Sequence, residues 1–113
     1  MKISLKHQAI EKSNSAACTV LEHQLNNDTL DMAIAKISGR YPDERRVLNQ
    51  QCDELAYVFA GSGKLVINHK EHALNAGDVV LIEAGEKYYW EGQMQLFLAC
   101  TPAWKKEQHQ IVD

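Results

Sequence analysis

The chain has 113 residues, 45% of them hydrophobic and 24% charged, the proportions of one soluble domain with a single core. Its formal net charge is -3, and its basic residues are scattered apart from two adjacent pairs, Arg45 with Arg46 and Lys105 with Lys106, so nothing favours nucleic acid or an anionic membrane as partner. The first residues hold no apolar run of signal-peptide length and no window is long enough to span a bilayer, which points to a cytoplasmic protein with no membrane partner.

Residues 8–16 lack apolar periodicity, and the first strand signal is residues 17–22. Asn26, Asn27 and Asp28 make a turn, and residues 29–38 alternate with Leu30, Met32 and Ile34 on one face. Gly39 and the stretch Tyr41, Pro42, Asp43 interrupt that pattern. Residues 55–60 are strongly β-prone, Gly61, Ser62 and Gly63 read as a short hairpin loop, and residues 64–68 read as the returning strand. Residues 72–75, 79–83 and 87–90 follow, separated by turns at Ala76, Gly77, Asp78 and at Ala84, Gly85, Glu86. Gly92 reads as a further break before a last strand at 94–101, and residues 101–108 suit one helical turn. Short strands every 8–12 residues argue for an all-β sandwich or barrel. Three cysteines, Cys18, Cys52 and Cys100, are widely spaced and odd in number, which predicts neither a disulfide framework nor a zinc knuckle. Cys100 ends an apolar run and reads as a small buried hydrophobe.

The segment 39–92 resembles the two conserved motifs of cupins. The first motif places two histidines around one residue, then a glutamate, then a glycine after six more residues; here Glu54, residues 55–60 and Gly61 reproduce its second half. The second motif runs from a glycine through five residues to proline, glycine, histidine and asparagine; here Gly77, residues 78–82 and Gly85 match it. The resemblance implies an all-β, cupin-type double-stranded β-helix or jelly-roll barrel, a single domain over 1–113 with its barrel core at about 29–101. It also implies a homodimer, which would cover outward-facing aromatic side chains at Tyr57, Phe59 and Tyr89.

The departures bear on chemistry. The two histidine positions fall at Leu48 and Gln50, or at Val47 and Asn49, while the second motif's proline becomes Glu83, its histidine Tyr88 and its asparagine Gly92. Of four family ligands only Glu54 remains, so no metal and no cofactor is expected. His69 and His72 flank a turn and read as exposed, and a site rebuilt from Glu54, Cys52 and a distant histidine has no sequence support. If Glu54 points inward, alternation sends Ala56 and Val58 inward as well, and the same parity carries Tyr88 and Trp90. The predicted ligand-binding set is therefore Glu54, Tyr88, Trp90 and either Asn49 or Gln50. An inward carboxylate needs a partner, for which Arg45, Arg46 and the Tyr88 hydroxyl stand nearest in the pattern. The function this set implies is metal-independent binding of a small organic molecule. Two alternatives stand beside it: a sugar isomerase or epimerase-like enzyme using Glu54 and Tyr88, and a structural or regulatory dimer with a filled barrel. No helix-turn-helix pattern is present for reading DNA.

Overall fold

The computed structural model describes residues 1–113 and contains nine strands in one curled antiparallel sheet. They are β1 (Ile10–Ser15), β2 (Cys18–Glu22), β3 (Asp31–Tyr41), β4 (Arg46–Asn49), β5 (Asp53–Ile67), β6 (Lys70–Asn75), β7 (Val79–Ile82), β8 (Tyr88–Thr101) and β9 (His109–Val112). The spine is β8. Along one edge it pairs with β3, from Asp31 opposite Cys100 to Tyr41 opposite Trp90. Along the other it pairs with β5, from Asp53 opposite Thr101 to Ile67 opposite Tyr88. Beyond β3 lie β2 and then the exposed edge strand β1, formed by residues whose sequence carried no strand signal. The free edge of β5 is shared, with β7 on residues 54–57 and β6 on residues 62–67. β4 meets β8 at Val47 opposite Tyr88, and β9 closes onto β4 with His109 opposite Asn49.

Two-residue alternation builds the core. Ala56 and Val58 of β5, Met94 and Leu96 of β8, Ile37 and Ala35 of β3, and Ile82 of β7 pack together out of solvent. A fully buried Val, Leu or Ile contributes about 1.5–3 kcal/mol relative to an exposed one, so this parity fixes which face of each strand turns inward. On β3 the inward residues are the odd-numbered ones. Leu30, Met32 and Ile34 therefore belong to the outer face, where Leu30, Met32, Leu25 and Phe97 line a groove of about 540 Å³ beside Met1 and Lys2.

Two sequence expectations need correction. Gly61, Ser62 and Gly63 form no hairpin, since β5 runs unbroken through them. The reversal lies at Asn68 and His69, with φ of 52° and 63°, positive at both central positions as a tight two-residue turn requires. Likewise Gly92 lies inside β8 and does not break it. These glycines serve close approach between strands: a Cβ on Gly61 would lie 2.1 Å from the Gln93 carbonyl oxygen, and one on Gly92 would lie 2.5 Å from Gly63 Cα.

By contrast, Gly77 and Gly85 sit in turns, as their motif positions imply. The Gly77 turn is tied to β5 by Val58 N–H donating to Asp78 O at 2.9 Å and Gly77 N–H donating to Val58 O at 2.7 Å. Those bonds hold β5 at the irregularity between Val58 and Ala60, where its edge passes from β7 to β6. The expected helical turn after residue 101 is a short 3-10 turn, Lys106–Gln108, leading into β9. No helix is long and apolar enough to cross a membrane.

Candidate functional site

Glu54 enters the barrel from β5, opposite Cys100 on β8 and Ile82 on β7, and is 6% exposed. Its hydrogen-bond partner is a thiol, Cys100 Sγ, which donates to Oε1 at 3.6 Å. Burial pushes its pKa up to about 7; the thiol bond pulls the other way, and the Asp31 charge adds to the rise. Neither expected arginine reaches it: Arg46 Nε donates to the Asp113 carbonyl at 2.8 Å, and Arg45 is exposed. The fold accommodates this group by raising its pKa to about neutrality, so that the carboxyl is largely protonated in mild acid, rather than by pairing its charge.

Tyr88 and Trp90 are buried on the same parity of β8 and meet edge to face, with ring centroids 6.3 Å apart. Burial, followed by the Glu54 charge, holds the Tyr88 phenol well above its ordinary pKa. Asn49 is 1% exposed and its Nδ2 makes a long, 3.5 Å hydrogen bond to the Tyr88 hydroxyl. Gln50, the other sequence choice, is exposed. The reason is parity: β4 turns Val47 and Asn49 inward, so of the two ways of placing the histidine pair only Val47 with Asn49 faces the interior.

Two polar residues, buried Gln108 and half-buried His109, escaped the candidate set, because a three-residue turn and a four-residue strand carry too little pattern to place them. His109 of β9 hydrogen-bonds Asn49 Oδ1 through Nδ1 at 2.7 Å and the Tyr41 hydroxyl through Nε2 at 3.0 Å. Its ring lies parallel to Tyr41 and 5.4 Å from Trp104, centroid to centroid. Gln108 is 3% exposed, and its Oε1 accepts from the backbone N–H groups of Gln51 and Cys52 while its Nε2 donates to Asn49 Oδ1 at 3.1 Å. The one available signal was the Ile111 and Val112 pair closing a short polar run, too brief to mark a strand on its own. Burial raises the Cys18 thiol to about 11. All three cysteines are free.

This donor set does not suit a transition metal. The inward motif positions hold Val47, Asn49 and Tyr88 beside Glu54, and Asn49 Oδ1 is already engaged by two donors. No three side chains of His, Cys, Asp or Glu converge, and His69 and His72 lie exposed at the hairpin. Two cavities open elsewhere, the outer groove described above and a slot of about 530 Å³ between β6 and β7 lined by Leu65, Leu74, Val80 and Leu81.

No protein-family model matches the chain, and no curated protein matches it. Solved structures do. A RmlC-like cupin from Shewanella frigidimarina superposes with a TM-score of 0.74 at 16% identity, covering 92% of this chain and 93% of that one. The chain has the cupin fold. A second relative in shape is KdgF from Halomonas sp., with a TM-score of 0.72 at 12% identity, covering 95% of this cupin-fold chain and 98% of that one. PAC13 from Streptomyces, solved with uridine and described as a nucleoside dehydratase, gives a TM-score of 0.88 at 13% identity over 99% of this chain and 90% of its own.

Proposed function

We propose that the interior of this barrel binds a small organic molecule through Glu54, Tyr88, Trp90 and Asn49, without a resident metal. The observation that carries the reading is Glu54: a carboxyl taken out of water beside a single thiol, in a wall of otherwise apolar and aromatic side chains. A buried polar group with so weak a partner gains from a ligand donor more than it gains from the thiol. Tyr88 and Trp90 supply ring surface, and Asn49 a fixed amide. That mixture suits a ligand with a flat ring and hydroxyl groups. Nucleosides are the first class to test, since PAC13, similar in shape over nearly the whole chain, was solved with uridine.

A specific observation favours a second reading, proton-transfer catalysis. Glu54 is shifted to about 7, where a carboxyl exchanges a proton readily at neutral pH.

The test is a thermal-shift screen of nucleosides, uridine first, followed by titration of wild type, Glu54→Gln and Tyr88→Phe. Loss of a hydrogen bond to Glu54 should weaken binding by on the order of 1.5–3 kcal/mol, roughly ten- to a hundredfold. Equal binding by all three proteins places the ligand elsewhere. If no small molecule binds and the interior is solid, the barrel is a structural or regulatory element instead.

A further inference from the structure

We propose that His109 is the proton acceptor of the barrel interior and that it acts through the Tyr41 hydroxyl. This rests on the interior being a ligand site, as proposed above, and adds to it a base delivered by the C-terminal strand.

The hydrogen-bond geometry fixes the direction of every bond in the chain that ends at Tyr41. The backbone N–H groups of Gln51 and Cys52 can only donate, and both point at one oxygen of the Gln108 amide, which is therefore Oε1. The other end of Gln108 must then be the NH₂ group, and it donates to Asn49. Asn49 accordingly presents Oδ1 on that side, and this same oxygen lies 2.7 Å from His109 Nδ1. An oxygen without hydrogen accepts, so Nδ1 carries a proton. In the neutral ring Nε2 is left with the lone pair, and the Tyr41 hydroxyl 3.0 Å away donates to it. Two backbone amides thus select one histidine tautomer through two intervening side chains.

The surroundings favour the neutral ring. The groups facing it are Tyr41 from β3, Asn49 from β4 and Trp104 from the loop before β9, and none of them is charged at neutral pH. Burial is the cause of its lowered pKa. Tyr41 is 8% exposed, belongs to the same buried cluster as Tyr88 and Trp90, and stands opposite Trp90 across the β3–β8 pair.

In the transfer step the ligand's O–H bond breaks and its proton passes to Tyr41 Oη. At the same time the Tyr41 proton passes to His109 Nε2, leaving an oxyanion on the ligand and an imidazolium whose Nδ1–H stays on Asn49. The phenol never carries a charge, which burial would penalise. The class of ligand served is one with an ionisable hydroxyl, as a sugar or nucleoside has.

The experiment is long-range proton–nitrogen NMR of the full chain across a pH titration, with uridine as probe. The ligand-free titration is repeated in Glu54→Gln, to separate the other group titrating near neutrality, while uridine is added to the protein with Glu54 intact. The expected free spectrum has a protonated Nδ1 and a lone pair on Nε2, the ring staying neutral below the ordinary histidine range. Uridine should then perturb Nε2, and its affinity should fall in acid as the imidazolium forms. Tyr41→Phe should keep the tautomer, which Asn49 sets, yet lose the Nε2 response and about tenfold in affinity. His109→Gln should remove the acid limb of the pH profile. A proton on Nε2 in the free protein, or uridine binding that leaves the Nε2 signal unmoved, overturns the relay and spares the ligand site. If the tautomer is as expected but no nucleoside raises the melting temperature, the nucleoside reading falls first and the base role falls with it.

Discussion

Burial raises the Glu54 carboxyl from an ordinary 4.5 to about 7, so ionising it inside the fold costs on the order of 3 kcal/mol. Between those two values the folded protein holds this proton while the unfolded chain releases it. The contribution is therefore complete below about pH 4.5 and is lost as pH rises through 7. His109 has the opposite sign. Its folded pKa lies below 6.5, so its neutral form adds stability above that value, and the gain is lost as pH falls through the lowered one. Comparing variant with wild type cancels the His109 part. Denaturant unfolding of Glu54→Gln and wild type should show the variant gaining on wild type by up to about 3 kcal/mol from about pH 5 to about pH 8. Parallel profiles would mean that Glu54 ionises in the fold as freely as in water.

At the level of strands, glycines of the same sign of φ have different duties. Gly92 lies inside β8 with φ of 141°, and an added Cβ would meet Gly63 Cα at 2.5 Å and Ser62 O at 2.7 Å. Backbone on the facing strand cannot step aside without breaking the β5–β8 ladder. Gly85 has φ of 88° in the turn after β7, with open space where its Cβ would stand. Gly85→Ala should therefore cost only the backbone strain, about 1–2 kcal/mol. Gly92→Ala adds a steric clash on top and should cost roughly 3 kcal/mol or more. Urea midpoints of the two variants measure the difference, and equal losses would refute the close-approach account.

For the whole molecule, the outer face of the sheet is the open question of energetics. Leu21, Ile34, Phe97, Tyr57 and Val79 stand opposite one another from β2 to β7, with Met32, Ala99, Leu55 and Leu81 in the next row. Tyr57, Phe97, Val79, Leu55 and Leu81 are all exposed, as is Phe59 at the β5 irregularity. Tyr89 does not join them, because the Arg40 guanidinium covers its ring at 3.8 Å. So broad an apolar surface is a cost to a monomer in water, and we propose that a second copy covers it. A dimer of ordinary size buries about 800 Å² on each partner. Light scattering at micromolar concentration should give twice the mass of the chain, and Tyr57→Lys should shift it toward monomer by burying an unpaired charge. A monomer in wild type defeats the proposal.

Two-residue alternation is local physics, and it was enough to send Ala56, Val58, Tyr88 and Trp90 inward and Tyr57 and Phe59 outward. The spacing from Glu54 to Gly61 and the run from Gly77 to Gly85 carried the cupin resemblance in the same local way. Whether a glycine turns the chain or admits a neighbour is not local. It depends on which strand lies opposite, and only the pairing of β5 with β8 makes Gly61 and Gly92 points of close approach rather than breaks. The partner of Glu54 is also a matter of register. Cys100 stands across from it on β8, forty-six residues away, while Arg46 turns to the C-terminal carbonyl. His109 depended most on tertiary structure, since four residues of β9 carry too little pattern to be read alone. Only the curl of the sheet brings that strand to β4 and sets the imidazole between Asn49 and Tyr41.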